Sequence, residues 1–268
     1  MRLLVTGLNG TLGRHLAVVA QRGGADVLGW DRTRVAPDDA VAVSAHLRES
    51  QADAIVHLGF GDASWAGQLA AFAAERGLPM LFTSTAMVFH HEPDGPHGVA
   101  DPRNAQDDYG RYKIRCEDAV SAAHPAAGIV RLGWQIEPPA AGPAASGNHM
   151  QVQLEQWLVR DGHVAASTAW RPACSFLPDT AAALWAWLQA PRPGTWHVDS
   201  NADEGHDFAA IVAALGSAVS RASGRPAWPV RRHADYRHDQ RLEGGGRWIL
   251  PLSVRLPALA ESRPLPAP

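Results

Sequence analysis

A short apolar run, Leu3-Leu4-Val5, ends in Thr6-Gly7-Leu8-Asn9-Gly10-Thr11-Leu12-Gly13, and a helical pattern starts inside that loop. This glycine loop constrains the fold more than any other feature of the chain. Gly7 permits a tight turn out of a strand, Gly10 lets the backbone approach a pyrophosphate, and Gly13 lets the helix pack closely on the strand. The helix N-terminus then offers free N–H groups and a positive dipole to phosphate oxygens. The spacing therefore predicts the first βα turn of a dinucleotide site, with Gly7, Asn9, Gly10, Thr11, Leu12 and Gly13 as cofactor contacts.

The rest of the N-terminal half keeps the same rhythm. Apolar runs at 3–5, 25–30, 53–58, 79–84 and 128–132 read as strands, and the patterns at 11–21, 38–49, 64–76 and 108–123 read as helices. Such alternation predicts βαβ units and a parallel sheet. Asp31 ends the second strand, where an acidic residue accepts a hydrogen bond from the adenosine ribose 2′-hydroxyl. Arg32 and Arg34 follow at once and are suited to a 2′-phosphate, so NADH and NADPH both stay open.

After Trp134 the rhythm changes. A Pro/Gly/Ala-rich stretch covers 137–147, helical patterns occupy 150–159, 179–189 and 205–215, and a strand pattern covers 194–198. The chain reads as a nucleotide-binding domain over 1–135 and a smaller lobe over 136–260, with segments near 163–200 returning to the first sheet. A proline-rich tail follows at 261–268.

Composition removes several function classes. With 24 basic against 27 acidic residues and a net charge of −3, nucleic acid is not an expected partner. Cys116 and Cys174 are the only cysteines, too few for a disulfide framework and suited to a reducing compartment. Apolar stretches are broken well short of a membrane span, and the N-terminus lacks the pattern of a signal peptide. A cytoplasmic protein without membrane contact is expected. His90, His91 and His97 read as a polar loop, so no metal is expected. The basic run 231–241 reads as a solvated surface.

One lysine, Lys113, stands among the 24 basic residues, and two of the 3 tyrosines, Tyr109 and Tyr112, lie beside it. Tyr109 and Lys113 are four apart, hence on one helical face. An ammonium there is expected to lower the phenol pKa and make Tyr109 an acid or base near neutrality. Thr85 ends the fourth strand, at the sheet edge where ligands bind, and its hydroxyl is expected to hydrogen-bond a substrate carbonyl.

Together, Thr6 to Gly13, Phe82-Thr83-Ser84-Thr85 and Tyr109-Gly110-Arg111-Tyr112-Lys113 resemble an extended short-chain dehydrogenase/reductase, and within it the dTDP-4-dehydrorhamnose reductase group. Ser84 to Phe89, Asp101-Pro102, Arg131 to Trp134, Gly147-Asn148 and Gly194 to Val198 are similar to further blocks of that family. The resemblance implies an α/β, Rossmann-type doubly wound parallel sheet with a smaller C-terminal substrate-binding lobe. It also implies an oxidoreductase that moves a hydride from NAD(P)H to a carbonyl of a nucleotide-activated 4-keto sugar or related metabolite. By position, Thr85 orients the carbonyl, Tyr109 donates the proton, and Lys113 holds the nicotinamide ribose and tunes Tyr109. Leu58, Gly59 and Phe60 pass beside the cofactor, while Trp134 and Asn148 match positions near the sugar-nucleotide pocket.

The chain departs from the family at three places. Met87, assigned to the substrate site, stands where the family has tyrosine, and Val99-Ala100 replaces a glutamate before Asp101-Pro102. The segment from Phe60 to Gly67 is also short, leaving Asp62 or Ser64 as the nearest counterpart of a family asparagine. These departures favour a shifted substrate, for example that of a tailoring ketone or imine reductase, an epimerase or a dehydratase. A non-catalytic nucleotide-binding protein on the same scaffold is the other reading. A small-molecule substrate is the expected partner, and a homodimer is left open.

Overall fold

The computed structural model describes residues 1–90, 92–139 and 149–261. Two compact units divide it. The first comprises Met1–His90, Val99–Leu132 and Pro178–His197, and the second the described residues of His91–Gly98, Gly133–Leu177 and Val198–Pro268. In chain order the elements are β1 (Arg2–Thr6), α1 (Thr11–Arg22), β2 (Asp26–Gly29), α2 (Ala40–Ser50), β3 (Ala54–His57), α3 (Ala63–Glu75), β4 (Met80–Thr85), α4 (Asp108–Ala123) and β5 (Gly128–Leu132). There follow β6 (Trp134–Ile136), α5 (His149–Asp161), β7 (Val164–Ser167), β8 (Trp170–Arg171), β9 (Cys174–Phe176), α6 (Leu177–Gln189) and β10 (Gly194–Val198). The last elements are α7 (Phe208–Ser223), β11 (Val230–His233), β12 (His238–Asp239), α8 (Leu252–Arg255) and α9 (Ala258–Glu261). No helix among the described residues is long and apolar enough to cross a membrane.

The first unit is built on a six-stranded sheet in the order β10-β5-β4-β3-β1-β2, with β1 to β5 paired in parallel. Every residue of β3, β4 and β5 is buried, as expected for parallel strands covered on both faces. On one face Leu4, Ile55 and Phe82 pack against Trp65 and Leu69 of α3 and Cys116 and Val120 of α4. α1 turns Leu16 and Ala20 inward, and its C-cap Gly23 lies so close to Trp185 of α6 that a Cβ would stand 2.5 Å from the indole.

Winding reverses at β1, which lies between β2 and β3. In doubly wound sheets, ligands bind beyond the carboxyl ends of the strands at such a reversal. The register Val5↔Val56 and Thr6↔His57 sets the ends of β1 and β3 level, so the loops that follow them run side by side.

The second unit is organised around α7. Phe208, Ile211, Val212 and Leu215 form a core with Ile136, Leu154, Val164, Phe176, Leu252, Leu256 and Leu259. Three short parallel ladders, β6 with β9, β7 with β11 and β8 with β12, surround it. None of these six strands has a legible sequence pattern, because runs of two to four residues show no periodicity.

Two expectations for this region are corrected. The helix expected at 205–215 starts at Phe208, where the Asp207 side chain accepts from the Ala210 amide, and continues to Ser223. Gly216 lies inside this helix, where a Cβ would stand 2.7 Å from Trp228. The run 231–241 is not a solvated surface throughout. His238 and Asp239 are buried, and Arg241 grips Asp239 through Nε at 2.8 Å and Nη2 at 2.7 Å.

Candidate active site

The glycine loop joins β1 to α1. Gly7 has φ +73°, and a Cβ on it would stand 2.9 Å from the Gly59 amide nitrogen. A Cβ on Gly10 or Gly13 would lie 3.1 or 2.4 Å from the Gly7 carbonyl oxygen. The loop is closed by the Gly10 amide donating to that carbonyl at 2.9 Å. Gly10 is also the N-cap of α1 and supplies no capping side chain. By contrast, Asp39, Asp62, Asp107 and Asp207 cap α2, α3, α4 and α7. The leading amides of α1, on Thr11, Leu12 and Gly13, thus have no side-chain acceptor, and the helix end keeps its capacity for an anion.

A cleft of about 480 Å³ opens beside this loop, lined by Gly7, Asn9, Gly10, Gly29, Asp31 and Arg32 among others. Asp31 Oδ1 accepts from the Thr33 amide at 2.9 Å and the Thr33 hydroxyl at 2.7 Å. These bonds, the hydroxyl's first, hold its carboxyl below the usual range. Arg32 reaches from the end of β2 to the Phe60 carbonyl, to which its Nη2 donates, and its guanidinium lies 5.1 Å over the Trp65 ring.

The segment Leu58-Gly59-Phe60 is fixed from below. The Gly59 amide donates to Thr6 Oγ1 at 3.0 Å, and that hydroxyl shares a 2.6 Å hydrogen bond with His57 Nδ1. His57 is fully buried, edge-on to Trp65 and stacked on Phe82. Burial, with the Lys113 and Arg32 charges, holds its pKa down to about 3. Phe60 is exposed and packs on Tyr112, whose hydroxyl accepts from the Gly61 amide at 3.1 Å. Sequence reasoning did not find His57, Thr6 or Tyr112, because their pairing across the sheet has no linear signal. Asp62, the nearest counterpart of the family asparagine, spends its carboxylate capping α3 through Ser64 N at 2.8 Å.

Thr85, Tyr109 and Lys113 meet at the carboxyl end of β4. Thr85 Oγ1 accepts from the Met87 amide at 3.2 Å and lies beside the Tyr109 side chain. Lys113 is buried, donates through Nζ to the Thr83 carbonyl at 2.9 Å and lies 4.8 Å over the Phe82 ring. Burial lowers its pKa to about 8. The expected lowering of the Tyr109 pKa is corrected. Burial around the phenol raises it, with the Thr85 side chain opposing, while the Lys113 ammonium is held at the Thr83 carbonyl.

A buried ion pair backs the site. Glu117, one helical turn beyond Lys113, binds Arg131 at 3.0 and 2.9 Å. Burial pushes the Glu117 pKa up, but Arg131, Ser84 and Arg103 together bring it below its usual value. Arg131 also donates to the Val99 carbonyl at 3.2 Å, anchoring the loop in which the family glutamate is missing. Met87, in the 3-10 turn Ala86–Val88, is 38% exposed. Trp134 belongs to the second unit, edge-on to Phe208. Asn148 lies outside the described residues.

A family model described as the RmlD substrate binding domain matches residues 1–65 and 61–227. The chain belongs to this family. A dTDP-4-dehydrorhamnose reductase of Mycobacterium tuberculosis (strain CDC 1551 / Oshkosh) is 32% identical over 155 residues, 50% of this chain and 50% of that protein. The chain thus spans about half the length of the curated relatives it matches.

Solved structures extend the likeness of this RmlD-family chain over nearly its whole length. A dTDP-4-dehydrorhamnose reductase from Clostridium acetobutylicum ATCC 824 superposes with TM-score 0.77 at 19% identity, covering 97% of this chain and 99% of that one. The Bordetella bronchiseptica enzyme WbmG in complex with NAD and UDP gives 0.72 at 18%, covering 96% and 92%. A dTDP-4-dehydrorhamnose reductase from Bacillus anthracis str. Ames in complex with NADP gives 0.71 at 17%, covering 87% and 85%. At these identities the structures establish a shared Rossmann-type fold.

Proposed function

We propose that this chain is an NAD(P)-dependent reductase of a carbonyl on a nucleotide-activated 4-keto sugar or related metabolite. The observation that carries this reading is the placing of Tyr109 beside Thr85 at the carboxyl end of β4, with Lys113 buried one turn further along α4 and held to Thr83 of the same strand. The family membership and the NAD and NADP complexes of similar structures support it.

A dinucleotide fits the groove at the chain reversal. Gly7, Gly10 and Gly13 form a cradle that added Cβ atoms would fill, and the uncapped start of α1 matches a pyrophosphate. The family resemblance assigns Leu58, Gly59 and Phe60 to the cofactor as well, and the Gly59 amide is tied to Thr6 at the end of β1. The nicotinamide, when bound, supplies the hydride. Thr85 Oγ1 then orients the substrate carbonyl oxygen, and Tyr109 Oη delivers the proton to it. The raised pKa suits a donor, since Tyr109 stays protonated across the working range. Lys113 holds the ribose side of the site and fixes α4 to β4 through Thr83. By the family resemblance, Trp134 and Asn148 contact the sugar-nucleotide substrate.

Met87 favours a second reading within the same chemistry. An apolar side chain, 38% exposed where the family carries a tyrosine, suits an apolar ketone better than a hydroxyl-rich sugar.

The test is turnover on a panel of nucleotide-linked 4-keto sugars and apolar ketones. Tyr109→Phe is expected to lose at least ~100-fold in kcat with cofactor affinity within about twofold of wild type. Lys113→Arg is expected to lose activity as well, because a planar guanidinium cannot reach Thr83 from the same buried point. A Tyr109→Phe protein with wild-type turnover removes the assignment and leaves the non-catalytic scaffold.

A further inference from the structure

We propose that Phe60, held in place by Tyr112, is a specificity-determining residue: with Met87 and Tyr109 it forms an apolar wall that selects a substrate carrying a planar apolar group next to its carbonyl. The inference rests on the reductase reading above and, of the two substrate classes named there, takes the apolar one.

Phe60, Met87, Tyr109 and Tyr112 all belong to the first unit. Phe60 is 63% exposed, and Met87 and Tyr109 are exposed as well. Exposed apolar side chains scattered singly need no explanation, but a contiguous group of them marks a binding surface. These are contiguous. The Phe60 ring lies 4.6 Å from that of Tyr112, and the Tyr112 ring lies 6.3 Å from that of Tyr109. Met87 abuts the first turn of α4, since a Cβ on Gly110 would stand 2.2 Å from its carbonyl oxygen. The Met87 amide donates to Thr85 Oγ1 at 3.2 Å, so the wall adjoins both side chains assigned to the substrate carbonyl.

The wall is held from behind. The Phe60 carbonyl accepts from Arg32, and the next amide, that of Gly61, donates to Tyr112 Oη at 3.1 Å. A Cβ on Gly61 would stand 2.5 Å from the Trp65 indole, so the loop packs there with no room for a side chain. Phe60 is thus fixed on the carboxyl side of its own backbone, and a ring presented in this way loses little freedom when a ligand covers it. The carboxylates nearest in sequence serve as helix caps: Asp62 accepts from the Ser64 amide and Asp107 from the Gly110 amide, both at 2.8 Å. A flat apolar group gains by covering Phe60 and Met87, whereas a hydroxyl-rich ring gives up water there without apolar area to bury.

Steady-state turnover of acetophenone and of dTDP-4-dehydrorhamnose, with both NADH and NADPH supplied, tests the assignment. Melting curves and dinucleotide titrations control for folding and cofactor binding. The wild-type protein is expected to favour acetophenone by at least ~10-fold in kcat/KM. Phe60→Ala is expected to bring that ratio close to one, chiefly through a roughly tenfold rise in the acetophenone KM. Tyr112→Ala acts in the same direction through Phe60, and Tyr112→Phe, which keeps the ring and gives up only the Gly61 bond, recovers most of the loss. A wild-type preference for the nucleotide sugar overturns the proposal. So does a Phe60→Ala protein whose ratio is unchanged, or one that loses both substrates alike through weaker dinucleotide binding. Turnover of neither substrate counts against the reductase reading instead, and saturation-transfer NMR with acetophenone then decides on the wall. A signal lost in Phe60→Ala upholds it, and a signal absent from wild type or equal in both proteins overturns it.

Discussion

Thr6, His57 and Gly59 form a hydrogen-bonded chain that joins the two loops flanking the candidate cofactor groove. With a pKa near 3, His57 stays neutral at every working pH, so it acts as a positioning residue and not as an acid or base. His57→Leu removes one of the two partners of the buried Thr6 hydroxyl and loosens its hold on the Gly59 amide, at a cost of about 1–3 kcal/mol. NADH affinity is expected to fall about tenfold in His57→Leu and to be largely restored in His57→Asn, which keeps an acceptor. Titration calorimetry on both variants, with melting curves alongside, checks this. A wild-type affinity in a folded His57→Leu protein refutes the positioning role. The Tyr109–Lys113 spacing was legible in the linear chain, but the partner of Lys113 was not. Only the sheet brings the Thr83 carbonyl 2.9 Å from Nζ, and burial of the phenol, which no linear spacing shows, sets the upward shift of Tyr109.

At the scale of elements, α4 carries both the proposed catalytic pair and the brace behind it. Tyr109 and Lys113 face the end of β4, and Glu117 on the next turn binds Arg131 of β5 with side chains 2% and 4% exposed. Removing one member of a buried pair leaves an uncompensated charge, and costs about 3–5 kcal/mol. Glu117→Leu is therefore expected to unfold at much lower denaturant than wild type, whereas the double variant Glu117→Leu/Arg131→Met recovers most of the loss. Urea unfolding of the three proteins measures the coupling, and additive single-site losses would show that the pair is not a unit. The helices of the first unit were legible because one buried face writes a periodicity into 11 or more residues, and its strands because each is an apolar run bounded by turn residues between those helices. The ladders β6–β9, β7–β11 and β8–β12 were not, since each strand is too short to repeat.

For the whole molecule, pH exposes a carboxylate that the linear chain gives no reason to single out. Asp199 is fully buried in the second unit and accepts from the amides of Cys174, Asn201 and Leu242 at 3.0, 2.8 and 3.0 Å. Burial outweighs these donors and pushes its pKa up to about 7. A folded-state pKa above the unfolded value means the folded form binds the extra proton. Its contribution to stability is full below the ordinary carboxylate pKa of 3.8 and is lost as pH rises through about 7. The melting temperature of Asp199→Asn relative to wild type is accordingly expected to rise by several degrees between pH 5 and pH 8. A difference that stays flat over that range refutes the titration. The linear sequence by itself determined the parallel α/β sheet, the glycine turn and the Thr85, Tyr109 and Lys113 positions, because local spacing sets backbone conformation and helical face. Tertiary structure alone decided the charge state of Asp199, the hold of Arg32 on Phe60 and the His57–Thr6–Gly59 chain. Those depend on which distant groups are brought within hydrogen-bond reach and out of water, and no local pattern encodes that.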